Sequence, residues 1–322
     1  MSGRLARMCL VTALAAAAVA LVHASGRQAQ APVAPAQERQ VPSFRAGVDI
    51  VSLSVTVTDP NGHYVTGLDS PDFSVFEDGV KQEITYFDRS NLPIALSLLL
   101  DTSASMEGRM GIAQEAAAGF ARRLRNLDLA QVIDFDTRAI VAKAFTSDGA
   151  QLEEAIRKTT AGGSTALYNA VYIALKELKK ARGSGATDVR RQAIVLLSDG
   201  EDTASLVSYE EVLELAKRSD TAIYPIGLRA PAEPGAKGFR EAAFVLRDLA
   251  QQTGGRSFSP NRVDDLAGVY TQIADELASQ YLVGYVSKNG RRDGAWRRIV
   301  VQVARAEANA RSKQGYYAPA AR

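Results

Sequence analysis

The chain has 322 residues, 46% of them hydrophobic, and it carries 38 basic and 36 acidic side chains. This length and apolar content are sufficient for a large core and for more than one domain. The near balance of charge argues against a nucleic-acid-binding protein, which needs an excess of basic residues gathered on one face.

The amino-terminal residues have the pattern of a secretory signal peptide. Arg4 and Arg7 precede an apolar run from Leu10 to Val22, and Ala24 offers a cleavage position. This run is shorter than the roughly 20 residues that span a bilayer, so an uncleaved membrane anchor is the less favoured alternative. We predict a signal peptide at 1–24, a flexible Ala/Pro/Gln spacer at 25–43, and export to the periplasm, the cell envelope or the extracellular space.

A small β-sandwich-like domain is predicted for residues 44–90. Apolar and hydroxyl residues alternate from Val51 to Thr58, which indicates a half-buried strand, and the segment Asp59 to Gly62 has the composition of a turn. Further short strands are predicted around Phe73 to Phe76 and Ile84 to Tyr86.

Residues 91–282 alternate strand and helix patterns, which predicts an α/β fold: a doubly wound, mostly parallel sheet with helices on both faces. The predicted strands are Ile94–Leu100, Ala130–Phe135, Ala139–Phe145, Gln192–Leu197 and Ala222–Leu228. The predicted helices are Gly111–Asn126, Ala150–Lys158, Ala166–Ala181, Ser208–Ser219, Gly238–Thr253 and Asp264–Tyr281. Ala139–Phe145 follows its predecessor too closely for a helical crossover, so we expect it to form an antiparallel edge strand.

The carboxyl-terminal residues 283–322 return to short strand patterns. Arg298–Val303 and Gly315–Tyr317 are predicted strands, as is Tyr281–Tyr285 at the preceding boundary. We expect these strands to pack with the sandwich-like residues 44–90.

Two polar segments follow buried strands of the central region, and a third polar segment lies in a loop before a helical pattern. Asp101, Ser103 and Ser105 come directly after the apolar run Ile94 to Leu100, and their alternate spacing lets a short loop turn them toward one point. Thr165 lies in a Gly-rich loop at the start of a helical pattern, and Asp199 ends another buried strand. Ligands of open α/β sheets bind beyond the carboxyl ends of the strands, so these side chains are expected to converge there.

This order of residues resembles the metal-ion-dependent adhesion site of von Willebrand factor type A domains. Its five positions are matched by Asp101, Ser103, Ser105, Thr165 and Asp199. The resemblance implies that the three hydroxyl groups ligate a divalent cation and that the two carboxylates act largely through coordinated water. It also implies that a Glu or Asp carboxylate of a partner protein completes the coordination shell.

The expected cofactor is Mg²⁺, with Mn²⁺ or Ca²⁺ as alternatives, because hard oxygen ligands suit these ions better than zinc. The wider layout, with Phe73-Ser-Val-Phe-Glu-Asp-Gly79 and the closing Gly315-Tyr-Tyr317, resembles exported bacterial proteins built around a type A domain. The expected function is therefore metal-dependent protein binding in adhesion or complex assembly. A structural envelope scaffold whose metal rigidifies the loops is the alternative, and a metal-assisted hydrolase is a distant third.

Catalysis and nucleotide binding have little support in the sequence. His63 is the only histidine beyond the predicted signal peptide, and it lies in a predicted turn outside the central region. There is no Walker A loop and no Gly-x-Gly-x-x-Gly motif, so no nucleotide is expected. The acids near strand ends, Asp134, Asp136, Glu201 and Asp202, are interpreted as solvated surface. Contact with a membrane is expected only if the signal segment is left uncleaved.

Overall fold

The structure is a computed structural model that describes residues 49–89, 92–183, 190–199, 201–228 and 237–320. The predicted signal peptide and spacer lie outside these residues. In chain order the strands are β1 (Ile50–Thr58), β2 (Phe73–Glu77), β3 (Val80–Gln82), β4 (Ile84–Asp88), β5 (Ile94–Asp101), β6 (Leu129–Phe135), β7 (Ala139–Thr146), β8 (Arg191–Ser198), β9 (Thr221–Gly227), β10 (Tyr281–Val286), β11 (Trp296–Val303), β12 (Asn309–Arg311) and β13 (Gly315–Tyr317). The helices are α1 (Met110–Ala121), α2 (Gly149–Arg157), α3 (Leu167–Gly183), α4 (Tyr209–Lys217), α5 (Lys237–Thr253) and α6 (Leu266–Ser279).

A five-stranded sheet forms the centre of the described chain, in the order β7-β6-β5-β8-β9. The neighbouring pairs β6-β5, β5-β8 and β8-β9 run parallel. Strand β7 is an antiparallel edge strand, as its short connection to β6 predicts. All eight residues of β5 are buried, because helices cover both faces of the sheet. The predicted α/β fold is confirmed.

Two apolar cores lie on opposite faces of this sheet. One contains residues of α1, α2 and α6, among them Phe120, Ile156 and Ile273. The other contains residues of α3, α4 and α5, among them Leu175 and Leu249. Alternate residues of each strand enter the two cores, as the period of a strand requires.

The remaining strands form two antiparallel sheets, β12-β1-β10-β4 and β13-β11-β2-β3. Strand β1 pairs with β10 from Ile50 opposite Val286 to Val55 opposite Tyr281. Both sheets contribute to one core, in which the rings of Phe73, Phe87 and Tyr281 have centroids 5.1 to 5.9 Å apart. The two ends of the described chain therefore build one β-sandwich, as expected from their strand patterns.

Several element ends differ from the prediction for identifiable reasons. Helix α1 ends at Ala121, not Asn126, and the turn that follows is held by the Asp128 carboxylate, which accepts from the backbone N–H groups of Arg125 and Ile94 at 3.0 and 2.9 Å. Helix α6 ends at Ser279, because the backbone of Gln280 is extended and Tyr281 begins a sandwich strand. Strand β12 was not predicted.

No helix within the described ranges is both long enough and apolar enough to cross a bilayer.

Candidate functional site

Asp101 lies where two central strands of the sheet end side by side. It is the last residue of β5, whose partner β8 ends at Ser198. The Asp101 side chain is buried, and its Oδ2 accepts a hydrogen bond from Ser198 Oγ at 2.5 Å. Its Oδ1 accepts from the backbone N–H of Ser103 at 2.9 Å, a local bond that turns the chain out of the strand. Both carboxylate oxygens of Asp101 are thus positioned by the protein.

The loop after β5 brings both predicted serines toward Asp199. A short 3-10 turn, Ala104–Met106, follows Ser103 and places the hydroxyl oxygens of Ser103 and Ser105 3.0 Å apart. The Ser105 hydroxyl donates to Oδ1 of Asp199 at 2.7 Å. Together with the bond from Ser103 to Asp101, direct contacts therefore connect four of the five predicted site residues.

The Gly-rich loop that carries Thr165 is joined to the same loop by backbone hydrogen bonds. The N–H of Gly162 donates to the carbonyl of Thr102 at 2.7 Å, and the N–H of Ala104 donates to the carbonyl of Gly163 at 3.1 Å. Gly163 has a φ of +73°, and a Cβ there would lie 2.6 Å from Thr137 Oγ1, so only glycine fits. The loop that presents Thr165 is consequently tied to the loop that presents Ser103 and Ser105.

Thr165 is also held by the segment that follows Asp199. Its N–H donates to the Oγ1 of Thr203 at 3.0 Å, and its carbonyl accepts from the N–H groups of Thr203 and Ala204 at 2.8 and 3.1 Å. The Thr165 side chain is nearly buried, at 5% exposure of the residue. Sequence reasoning missed Thr203, because nothing local distinguishes it from other loop threonines.

Arg109 is a further residue of the site that the sequence did not reveal. It directly precedes α1, and its guanidinium donates to Oδ2 of Asp199. The Asp199 side chain is 1% exposed and that of Arg109 is 19% exposed, so the ion pair is largely removed from water. A basic residue four positions after Ser105 gives no signal by itself, since the contact spans 90 residues of chain.

The charge of the site favours a cation. Burial is the largest influence on Asp101 and raises its pKa, the nearby Asp199 charge raises it further, and hydrogen bonds from Ser103 and Ser198 act in the opposite direction. A bound cation would favour the charged form of both acids and would offset the cost of burying them.

The chemistry of the donor set fits a hard divalent cation. Two carboxylates and three hydroxyl groups offer only oxygen ligands, and two acids leave such a cation with residual positive charge. Across the described ranges, no group of three or more His, Cys, Asp or Glu side chains could hold a metal ion, so no cage of acids competes with this site there.

Two of the other acids near the strand ends, Asp202 and Asp136, have structural roles in loops. Asp202 accepts from the backbone N–H of Tyr168 at 3.1 Å and from the hydroxyl of Ser205 at 2.5 Å, which orders the loop beside the start of α3. Asp136 accepts from the N–H of Arg138 at 2.9 Å in the turn between β6 and β7. These two half-buried side chains are bound into turns, which differs from the solvated surface that the sequence predicts.

His63 lies in the turn after β1, where its Nδ1 is 3.2 Å from Oδ2 of Asp59 and its side chain is 80% exposed. It therefore belongs to a sandwich turn, with a carboxylate of that same turn as its partner.

Comparisons with known proteins identify the central fold. Residues 96–201 match the family model described as von Willebrand factor type A domain. An uncharacterized protein of Synechocystis sp. is 34% identical over 114 residues, which cover 34% of this chain and only 26% of that protein. A von Willebrand factor type A structure from Catenulispora acidiphila is 13% identical with a TM-score of 0.50, covering 86% of this chain and 76% of that one.

The structure of proximal thread matrix protein 1 from the mussel byssus has been solved with zinc in its metal-ion-dependent adhesion site (MIDAS) motif. It is 17% identical to this chain with a TM-score of 0.48, and the match covers 62% of this chain and 49% of that chain. The family match indicates a von Willebrand factor type A domain at residues 96–201, and the Catenulispora acidiphila structure has a similar fold. Such domains generally mediate protein–protein interactions and are not generally enzymes, and they often bind a divalent metal.

Proposed function

We propose that this protein is an exported, metal-dependent protein-binding module. Asp101, Ser103, Ser105, Thr165 and Asp199 would hold one divalent cation of the Mg²⁺ class, with Mn²⁺ or Ca²⁺ as possible substitutes. The cation would then bind a Glu or Asp carboxylate of a partner protein in the periplasm, the cell envelope or the extracellular space. The observation that carries the proposal is the chain of contacts from Ser103 through Ser105 to Asp199 at the carboxyl ends of β5 and β8.

The geometry supports an open site over a closed one. Three hydroxyl ligands carry no charge, and the two acids are already engaged by donors of the protein. When bound, the cation supplies an electrophilic centre that can accept one more oxygen ligand. The protein residues position that centre and limit its neutralisation.

A rigidifying scaffold role for the metal is the competing function. The bonds that join the loops of Ser103, Thr165 and Asp199 support it, because a cation among them would add a further link. The two functions differ in whether an external carboxylate binds to the cation.

Calorimetric titration of Mg²⁺ and Mn²⁺ into residues 25–322, the chain without the predicted signal peptide, tests the proposal. Each titration is made with and without acetate. We expect acetate to tighten cation binding and its neutral analogue acetamide to leave it unchanged, because only a carboxylate can neutralise the residual charge. Cation binding that acetate leaves unchanged would favour the scaffold. If no cation binds under either condition, both functions of the metal are excluded.

A further inference from the structure

The Arg109 guanidinium lies at the candidate metal site and contacts one of its two acids. Oδ2 of Asp199 accepts from Arg109, and Oδ1 of the same carboxylate accepts from Ser105 at 2.7 Å. Both oxygens of Asp199 therefore accept hydrogen bonds from the protein, and one of the two donors, the Arg109 guanidinium, carries a full positive charge. Among the described residues, the donors to the other acid, Asp101, are uncharged groups of Ser103 and Ser198.

The backbone of Arg109 is fixed to the loop that presents the two serines. Its N–H donates to the carbonyl of Met106 at 2.8 Å, and its carbonyl accepts from the N–H of Ala113 at 3.0 Å at the start of α1. With the backbone held, only rotation about the side-chain bonds can move the guanidinium away from Asp199. The 19% exposure of the Arg109 side chain leaves an outlet toward solvent.

We propose that Arg109 is an internal competitor of the divalent cation at Asp199 and thereby sets the affinity of the site. This inference rests on the proposed metal-dependent function. A guanidinium and a divalent cation repel each other, so the two share the carboxylate only at a cost in free energy. The competition makes cation binding weaker and more readily reversible than the two acids and three hydroxyls alone would produce.

The charge count at the site gives this competition a second consequence. Asp101 and Asp199 contribute two negative charges and Arg109 one positive charge, so a divalent cation would bring the sum to one positive charge. An external carboxylate neutralises that excess. Arg109 therefore lowers the affinity for the cation alone and raises the benefit of adding a carboxylate ligand.

The test is a calorimetric titration of Mn²⁺ into residues 25–322. The titration compares the wild type with the variants Arg109→Ala, Arg109→Gln and Arg109→Lys. Glutamine keeps a hydrogen-bond donor beside the buried Asp199 and removes the charge, so it remains informative if alanine leaves that acid unpaired and the fold is lost. Arg182→Ala is the matched control, since Arg182 pairs with Asp220 at 2.7 Å at the far end of α3, about 25 Å along that helix from Thr165. Thermal melting in EDTA verifies that each variant is folded.

We expect Arg109→Gln and Arg109→Ala to bind Mn²⁺ about tenfold more tightly than the wild type, with Arg109→Lys and Arg182→Ala close to the wild type. The gain should shrink at high salt, and acetate should enhance binding less in the uncharged variants. If the wild type bound Mn²⁺ and Arg109→Gln bound it equally or more weakly, the role of Arg109 would be overturned and the metal site would stand. If neither the wild type nor any folded Arg109 variant bound Mn²⁺, both the metal site and this inference would be wrong. If Mn²⁺ bound only to the uncharged variants, and the added change Asp101→Asn abolished that binding, the competition by Arg109 would be supported and the proposed metal-dependent function of the wild type would be contradicted.

Discussion

At the scale of single residues, Thr165 offers a clean separation of metal binding from folding. Its N–H and carbonyl are hydrogen-bonded to Thr203 and Ala204. Because these bonds use only backbone atoms of Thr165, the loop can stay in place when the hydroxyl is removed. The hydroxyl is the atom that the proposed cation needs.

We expect Thr165→Val to weaken Mn²⁺ binding by at least about tenfold, since a proposed ligand is lost while the side-chain volume is kept. The melting temperature in EDTA should change by only a few degrees. The control is Ser164→Ala, which removes the exposed hydroxyl next to it in the same loop and should change neither quantity. Unchanged Mn²⁺ affinity in Thr165→Val would remove Thr165 from the set of ligands.

Each of the five predicted site residues follows a strand or precedes a helix, and the resemblance to a known motif selected them; their role as metal ligands stays a prediction. Arg109 and Thr203 could not be predicted in this way. Their contacts with Asp199 and Thr165 cross 90 and 38 residues of chain, and no spacing rule connects them. Side-chain contacts of this range depend on how loops pack after the sheet has formed.

At the scale of elements, Asp220 connects three of them. It directly precedes β9, and it pairs with Lys313 beside β13 and with Arg182 on α3, both at 2.7 Å. Burial alone would raise the pKa of Asp220, but the charges and hydrogen bonds of Lys313 and Arg182 outweigh it and lower the pKa to about 2. The folded protein therefore favours the charged carboxylate more than the unfolded chain does.

A lowered folded-state pKa contributes stability at pH values above the unfolded-state pKa of about 4, and that contribution is lost as the pH falls toward 2. At pH 7 we expect Asp220→Asn to lower the free energy of unfolding by about 1 kcal/mol, since 40% of the side chain is exposed and solvent screens the pair.

Urea denaturation between pH 7 and pH 2.5 measures the free energy of unfolding of the wild type and of Asp220→Asn. The difference between these two free energies should become smaller below pH 4. Asp49→Asn is the control, because Asp49 and its partner Arg292 are both more than half exposed and should contribute little. A difference that stays constant down to pH 2.5 would contradict an electrostatic origin.

Sequence patterns predicted the strands of the central sheet well because strands buried on both faces are apolar without interruption. Strand β12, Asn309–Arg311, is the opposite case, with one exposed and two half-buried residues over only three positions. It is a strand because it pairs with Thr56 to Thr58 of β1, about 250 residues earlier in the chain. A segment this short has no period from which it could be recognised.

At the scale of the whole molecule, a buried ion pair joins the type A domain to the sandwich. Glu276 on α6 is fully buried, and Arg311 on β12 approaches its Oε1 to 2.5 Å. Beside this pair, Gln280 donates to the hydroxyl of Tyr224 in β9 at 2.9 Å, and Thr56 of β1 donates to Glu276 at 3.4 Å. The strand patterns predict that the carboxyl-terminal strands join residues 44–90, but they do not predict this polar contact with α6, because nothing local pairs Glu276 with Arg311.

Removing one partner of a buried pair leaves the other charge uncompensated, so Arg311→Ala should lower the free energy of unfolding by about 3 kcal/mol. The double variant Arg311→Met with Glu276→Gln should recover much of this loss, since no charge is then buried alone. Urea denaturation provides the values, and Arg305→Ala, at an exposed position after β11, is the matched control. A loss no larger than that of the control would mean that the pair does not join the two parts of the molecule.

The central claim is that five residues from three separate segments form one divalent-cation site. Calorimetric titration of Mn²⁺ into residues 25–322, repeated with Asp101→Asn, tests it most directly. Asparagine keeps the size of the side chain but removes a negative charge beside Ser103 and Ser198. We predict one binding site per chain in the wild type, competed by Mg²⁺, and its loss in a folded Asp101→Asn protein. Equal Mn²⁺ binding in both proteins, or none in the wild type, would contradict the account.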